Sequence, residues 1–244
     1  MAEKRIPDPK FTTDRGVTVY PRLDKPDYGS DQFPAPRGVF KTKLRVSAAA
    51  ESTQALIAKL RPLHDVAVQQ GEELFKALKP ETRKKLKAIT VNDIFTEVLD
   101  KVTEEPTGDL EFSFKCYYKT EIKNGKNAGK TWFRYPALFD ARGNAMNSYD
   151  ENGKVLLQCP PIWGGSIGKF TFETRPYFIG GTGSCGLSMT LLAGQIIKRV
   201  VGSDKTAGDF GFGAEEGYAY EPEGDDVPAA TEDTSAPGED TGDF

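Results

Sequence analysis

A chain of 244 residues with 38% apolar content can bury one good core, while a single histidine and three cysteines leave little room for acid–base, zinc or disulfide-framework chemistry. Its formal charge of −4 conceals a division: residues 209–244 hold twelve Asp or Glu and no Lys or Arg, leaving 24 acids against all 32 Lys and Arg in residues 1–208. A body with an excess of eight cations that carries a tethered acidic polymer is expected of a protein whose ligand is itself a polyanion.

Cys116, Cys159 and Cys185 are odd in number and form no CxxC, so no disulfide framework, metal or cofactor is expected. No apolar run approaches the roughly 18 residues of a membrane span. The opening MAEKRIPDPKF lacks the apolar segment of a secretory signal. A reduced, cytoplasmic protein follows as the expectation, without a membrane partner.

Residues 1–37 are rich in Pro and charge, and DKPDYG and FPAPRG favour extended or turn backbone, as in an N-terminal arm lying against the body. The first strand follows at Val39–Val46, with Phe40, Thr42, Leu44 and Val46 on one face and Lys41, Lys43 and Arg45 on the other. Residues 48–105 read as a helical insertion. Ser47 is placed to cap a helix beginning AAAESTQALIAKL, with Glu51 in its first turns. Leu56, Leu60 and Leu63 recur at helical spacing, and Pro62 and Gly71 are expected to kink or divide that helix. Pro80 suits the first turn of a basic helix, KPETRKKLK. A short helix over Asn92–Val102 follows, capped by Thr90 with Asp93 three residues on.

From Gly108 the period changes to two. Leu110, Phe112, Phe114, Cys116 and Tyr118 alternate strictly with Glu111, Ser113, Lys115, Tyr117 and Lys119, the clearest strand in the chain. NGKNAGK is a turn, Thr131–Phe139 a returning strand, DARGN and DENGK are tight turns, Lys154–Gln158 is a short strand, and PPIWGGSIG is a loop. Phe170, Phe172, Thr174 and Phe178 then alternate with Lys169, Thr171, Glu173, Arg175 and Tyr177. Gly180–Gly186 turns the chain into Leu187–Val201, a long strand bent near Gly194, with helix as the rival reading because LLAGQIIKRVV lacks clean alternation. About five principal strands and one helical insertion predict a mainly β fold over residues 1–208: a five-stranded antiparallel barrel of OB type, followed by a disordered acidic tail over 209–244.

The outer faces of the best strands combine cations with rings: Lys41, Lys43 and Arg45; Lys115, Tyr117 and Lys119; Lys169, Arg175 and Tyr177. Cations follow phosphates and rings stack on bases of any sequence, which is what a single strand requires. Against that stands the ordinary use of Lys and Arg to solvate a strand face and block edge aggregation. Catalytic motifs fail on context. Gly164-Gly165-Ser166-Ile167-Gly168 matches GxSxG, but a strand and not a helix follows it, and His64 lies upstream. GGTGSCG lacks the GK[ST] ending of a phosphate loop, and His64 reads as a packing or helix-surface residue. No enzymatic constellation emerges. In the tail, Phe244 ends an acidic segment as a ring that a partner pocket can accept.

With those residues in view, the chain resembles the single-stranded DNA-binding protein family of T7-type bacteriophages. The matching stretches are Lys25-Pro26-Asp27-Tyr28-Gly29, Pro36-Arg37-Gly38-Val39-Phe40-Lys41, Phe112-Ser113-Phe114-Lys115-Cys116-Tyr117, Pro161-Ile162-Trp163-Gly164-Gly165-Ser166, Arg175-Pro176-Tyr177 and Gly242-Asp243-Phe244. Each is short; their order along nearly the whole chain is what is specific. The resemblance implies an OB-fold core, sequence-independent binding of single-stranded DNA, strand annealing, and dimerisation through the tail region. It also implies roles in replication, recombination and repair within the host cytoplasm. The acidic tail, through Asp240, Asp243 and Phe244, would dock on the phage DNA polymerase and primase-helicase and compete with DNA for the groove. The family's DNA-contacting residues fall on Arg37, Lys115 and Tyr177, with Lys4 as its N-terminal lysine. Where the family carries extra lysines beside Lys169 this chain has Phe170–Glu173, so Arg134 or Arg175 is expected to supply phosphate contacts. The alternative on the same barrel is an RNA chaperone or a protein adaptor, since OB barrels accept oligonucleotides, sugars and proteins alike.

Overall fold

The computed structural model describes residues 8–122 and 125–201. Lys4 and the tail 209–244 lie outside the described residues. The chain opens with β1 (Lys10–Thr12), β2 (Gly16–Gly29) and β3 (Pro34–Ser47), then α1 (Glu51–Lys76) and α2 (Pro80–Leu86). It continues through β4 (Thr90–Asn92), β5 (Thr96–Leu99), β6 (Pro106–Tyr117), β7 (Lys119–Glu121), β8 (Thr131–Phe133) and β9 (Ala137–Phe139). The last elements are β10 (Ser148–Tyr149), β11 (Val155–Leu157), β12 (Ile167–Ile179) and β13 (Ser184–Lys198).

Strands β12, β2, β3, β6 and β13 are hydrogen-bonded in that order, and β13 pairs back onto β12, which closes a barrel. Four seams are antiparallel; the fifth, β6 on β13 at Thr190↔Lys115, is parallel. Closure removes the edges that an open sheet would expose. Alternation fills the interior: Phe40, Phe112, Phe114, Phe170 and Phe172 are all fully buried, with Leu44 and Leu191 among them. Burying one such side chain is worth about 1.5–3 kcal/mol. Phe114 packs against Phe172 with ring centroids 4.9 Å apart and against Phe170 at 5.9 Å. Cys116 and Cys159 are buried free thiols whose pKa desolvation pushes up to about 11.

The extended arm expected over 1–37 contains the first barrel strand. The inward positions of β2 begin with Gly16 and Thr18, so its alternation carries almost no apolar signal. Gly16 is required there, because a Cβ would lie 2.7 Å from the Arg45 carbonyl and from Leu44 and Val46 side chains.

Helix α1 is continuous through Pro62 and Gly71, contrary to the expected break. Pro62 sits on the exposed side, and so does Ala58, whose carbonyl Pro62 leaves without a helical donor; water can satisfy it. Gly71 faces the barrel, where a Cβ would stand 2.6 Å from the Cys185 Cβ, so its missing side chain is what lets helix and β13 touch. Ser47 does not cap α1. It ends β3, opposite Asp109, and Ala50 is the N-cap with no side-chain hydrogen bond.

The helix expected over Asn92–Val102 is instead β4 and β5. Thr90, Val91 and Asn92 pair with Ser184, Cys185 and Gly186 of β13, while Thr96 and Glu97 pair with β6. Pairing with barrel strands outweighs a local cap signal. The single return strand expected over Thr131–Phe139 is two, β8 on β7 outside the barrel and β9 on β13. The region Leu187–Val201 is strand through Lys198, with an extra residue between Ala193 and Leu191 where it pairs Thr171 and Phe172, next to Gly194. Among the described residues, no helix is long and apolar enough to cross a membrane and no group of three or more His, Cys, Asp or Glu could hold a metal.

Candidate nucleic-acid interface

On the outer face of β3 and β6 the register places Lys41 directly opposite Lys115 and Arg45 opposite Glu111. Like charges directly opposite each other are destabilising, so the Lys41–Lys115 juxtaposition marks a surface suited to a polyanion. Lys41 is balanced from β2 by Asp27, 2.8 Å from its Nζ. Lys43 and Arg45 share one carboxylate, Glu111, at 3.0 and 2.8 Å. Burial acts to raise the Glu111 pKa, but hydrogen bonds from Arg45 and Lys43 outweigh it and hold the carboxyl below its ordinary range. The three-cation stripe of the sequence is therefore present but largely partnered. Lys115 makes no ion pair among the described residues.

Tyr117 stands beside Lys115 as an exposed ring, 41% accessible. The Arg37 guanidinium lies 4.3 Å from its centroid and the Lys115 ammonium 5.7 Å. Arg37 is fixed there by donating from Nε to the Lys119 carbonyl and from NH2 to Thr120 Oγ1, both at 3.0 Å, which leaves further N–H donors of its guanidinium uncommitted among the described residues.

Three cavities meet at Tyr117. One of about 490 Å³ adds Lys115, Tyr177, Phe95 and Met189. A second of about 750 Å³ adds Arg37, Trp132, Arg134, Arg175 and Lys10. A third of about 420 Å³ adds Tyr20, Lys41, Lys43 and Lys115. Tyr177, which lines the first, ends a hydrogen-bonded chain: His64 Nε2 donates to the Asn92 carbonyl at 2.9 Å, and Asn92 Nδ2 donates to the Tyr177 hydroxyl at 2.7 Å. His64, buried in α1, thus works through packing and through β4.

Of the residues singled out in the sequence, Arg37, Lys41, Lys43, Lys115, Tyr117, Arg134, Arg175 and Tyr177 line this connected groove. Arg134 pairs with Glu173 at 2.8 Å and Arg175 with Asp8, so neither presents an uncompensated charge. Lys169 lines none of these cavities. It lies near Asp14, whose carboxyl is held low first by the Arg15 backbone N–H, then by Ser52, and in part by Lys169. Lys4, Asp240, Asp243 and Phe244 lie outside the described residues.

Two rings were missed. Trp132, 53% exposed, sits with the Arg134 guanidinium 5.9 Å from its ring. Its signal is an aromatic on an outward strand position two residues before an arginine. Tyr20, 78% exposed, had no usable signal, because its left-handed backbone (φ 47°) breaks the alternation of β2.

Ser166 of the GxSxG match is fully buried, donating to the Trp163 carbonyl at 2.7 Å and accepting from Val200 N at 3.0 Å, so its hydroxyl ties the loop to the end of β13. The GGTGSCG stretch is the β12–β13 hairpin, with no helix after it.

The family model for the single-stranded DNA-binding protein of bacteriophage T7 matches residues 16–197. The single-stranded DNA-binding protein of Enterobacteria phage T3 is 28% identical over 160 residues, 65% of this chain and 62% of that protein. That of Escherichia phage T7 is 25% identical over 170 residues, 68% of this chain and 66% of that protein. The chain thus spans somewhat under two thirds of the length of these relatives. The crystal structure of gp2.5, a single-stranded DNA-binding protein encoded by bacteriophage T7, shares the fold with a TM-score of 0.59 at 24% identity, covering 84% of this chain and 98% of that one. With three quarters of its length inside the family model, the chain belongs to the family of the bacteriophage T7 single-stranded DNA-binding protein.

Proposed function

We propose that the groove centred on Tyr117 binds single-stranded DNA without sequence preference. The observation that carries this reading is one exposed ring, flanked by Arg37 and Lys115, at the junction of three cavities. Lys115, Arg37 and Lys43 neutralise phosphates, while Tyr117 and Tyr177 stack bases, each stacked base being worth about 1–3 kcal/mol. A base must leave its partner to lie on such a ring, which favours single strands over duplex. The names of the phage relatives support the same reading.

In this role the protein coats and protects single strands in phage replication, recombination and repair, and promotes their annealing, with no catalysis of its own. It acts as a dimer in the host cytoplasm. Its acidic tail recruits the phage DNA polymerase and primase-helicase, and in their absence competes for the groove, its carboxylates standing in for phosphates. Competition of poly-dT, poly-U and duplex DNA at fixed salt tests the core of this reading. Poly-dT is expected to displace a bound single strand best. A preference for poly-U would assign the groove to RNA, and no competition by any of them would remove nucleic acid from the account.

A further inference from the structure

We propose that Tyr20 is a second base platform of the groove, so that a single strand lying on Tyr117 crosses β3 onto β2; this rests on the single-strand reading given above. Tyr20 is 78% exposed, and its hydroxyl and ring make no hydrogen bond or ring contact among the described residues. The fold therefore gains nothing visible from the ring. It nevertheless tolerates a strained backbone to carry it: Tyr20 is in the left-handed region, φ 47°, where a bulky residue is a genuine outlier and glycine is at ease. Strain of this kind persists only where its surroundings impose it, and it gathers at functional sites.

The surroundings do impose it. Just before Tyr20, Thr18 is pinned on both sides of its peptide, its N–H donating to the Ser166 carbonyl at 2.8 Å and its carbonyl accepting from Gly165 N at 2.9 Å. Just after Val19, the pairing of β2 with β3 slips before resuming at Arg22↔Lys41. Between these constraints the chain bulges and turns the Tyr20 side chain out into the cavity of about 420 Å³. Val39 and Tyr117 line that cavity with Tyr20, and Lys41, Lys43 and Lys115 supply its charge. A cavity that combines two aromatic rings, an apolar side chain and three ammonium groups suits an unstacked base whose phosphates follow the lysines.

The strain also supplies the test. In the full chain, Tyr20→Gly removes the ring and relieves the backbone, whereas Tyr20→Phe keeps the stacking face. Anisotropy titrations with oligo-dT at fixed salt, paired with melting temperatures, separate the roles. Tyr20→Gly is expected to melt no lower than the parent yet to bind about 5- to 150-fold more weakly, while Tyr20→Phe binds as the parent does. Photo-cross-linking of the parent to iodouracil-substituted oligo-dT is expected to mark the tryptic peptide 16–22. Unchanged affinity in Tyr20→Gly, with or without a change in self-association, overturns the proposal, as does cross-linking that never reaches that peptide. If the parent binds oligo-dT and Tyr117→Ala weakens it while Tyr20→Gly does not, this proposal alone fails. If the parent does not bind oligo-dT, the reading of the whole groove fails with it.

Discussion

Arg37 holds its guanidinium 4.3 Å from the Tyr117 ring centroid while two of its donors are bound to Lys119 and Thr120 on the neighbouring ribbon. In the proposed groove the arginine serves both as a phosphate ligand and as a clamp on the ring. Lysine has no planar fork with which to do both. Arg37→Lys should therefore weaken single-strand binding by about 1 kcal/mol, roughly fivefold, with little change in salt dependence. Arg37→Ala should add a loss of about 0.7 from the salt slope. Equal affinity for Arg37→Lys and the parent would show that only the charge counts.

Glu111 holds Lys43 and Arg45 on one carboxylate. Glu111→Gln leaves Lys43 and Arg45 without their shared carboxylate, so oligo-dT should bind more tightly at low salt and with a steeper salt slope. A cost in stability accompanies it. The parent carboxyl titrates below its ordinary value of 4.5, so its pairing contributes fully above that value and is lost as pH falls through the lowered one. Thermal melts across the acid range should therefore show a shallower acid loss for Glu111→Gln than for the parent. Unchanged binding would mean that these two cations do not meet phosphate.

Gly71→Ala tests how the helix is seated. Alanine should gain about 1 kcal/mol of helix propensity, but its Cβ would lie 2.6 Å from Cys185 Cβ and 2.8 Å from its Sγ, an overpacking that costs about 1–3 kcal/mol. A net loss of stability in denaturant unfolding is expected, and combining it with Cys185→Gly should recover part of that loss. A stabilised Gly71→Ala would show that α1 and β13 are further apart than 2.6 Å implies.

These features were unequally legible in the sequence. Strands β3, β6 and β12 announced themselves because Phe and Leu repeat on their inner faces. Strand β2 did not, because Gly16 and Thr18 precede Leu23 at its buried positions and Pro26 falls in DKPDYG, a turn signal. Thr90 and Asp93 form a convincing cap pattern, yet β4 is fixed by pairing with a strand over ninety residues away, which no local signal encodes. The site divides in the same manner. Lys115 and Tyr117 were visible as the polar face of the cleanest strand. That Glu111 would neutralise Lys43 and Arg45 depends on cross-strand register, and that Arg37 would cover Tyr117 depends on where β7 passes.

The tail 209–244 carries a separable prediction from its charge alone. Deleting it removes twelve carboxylates from a body in which cations exceed acids, so single-strand binding should tighten as a tethered competitor is lost. On the proposed recruiting role, which rests on the family resemblance and not on charge, association with the phage polymerase should disappear in the same variant. Unchanged DNA affinity would contradict self-competition without touching the groove itself.

The most direct measurement is the salt dependence of oligo-dT binding by the parent and by Lys115→Ala, which removes a groove lysine that stands beside Tyr117 with no ion pair among the described residues. The parent should give a linear fall of log Kobs with log salt, and Lys115→Ala a slope shallower by about 0.7, one phosphate for a single strand. A salt-insensitive parent, or identical slopes in both proteins, would contradict a phosphate path beside Tyr117.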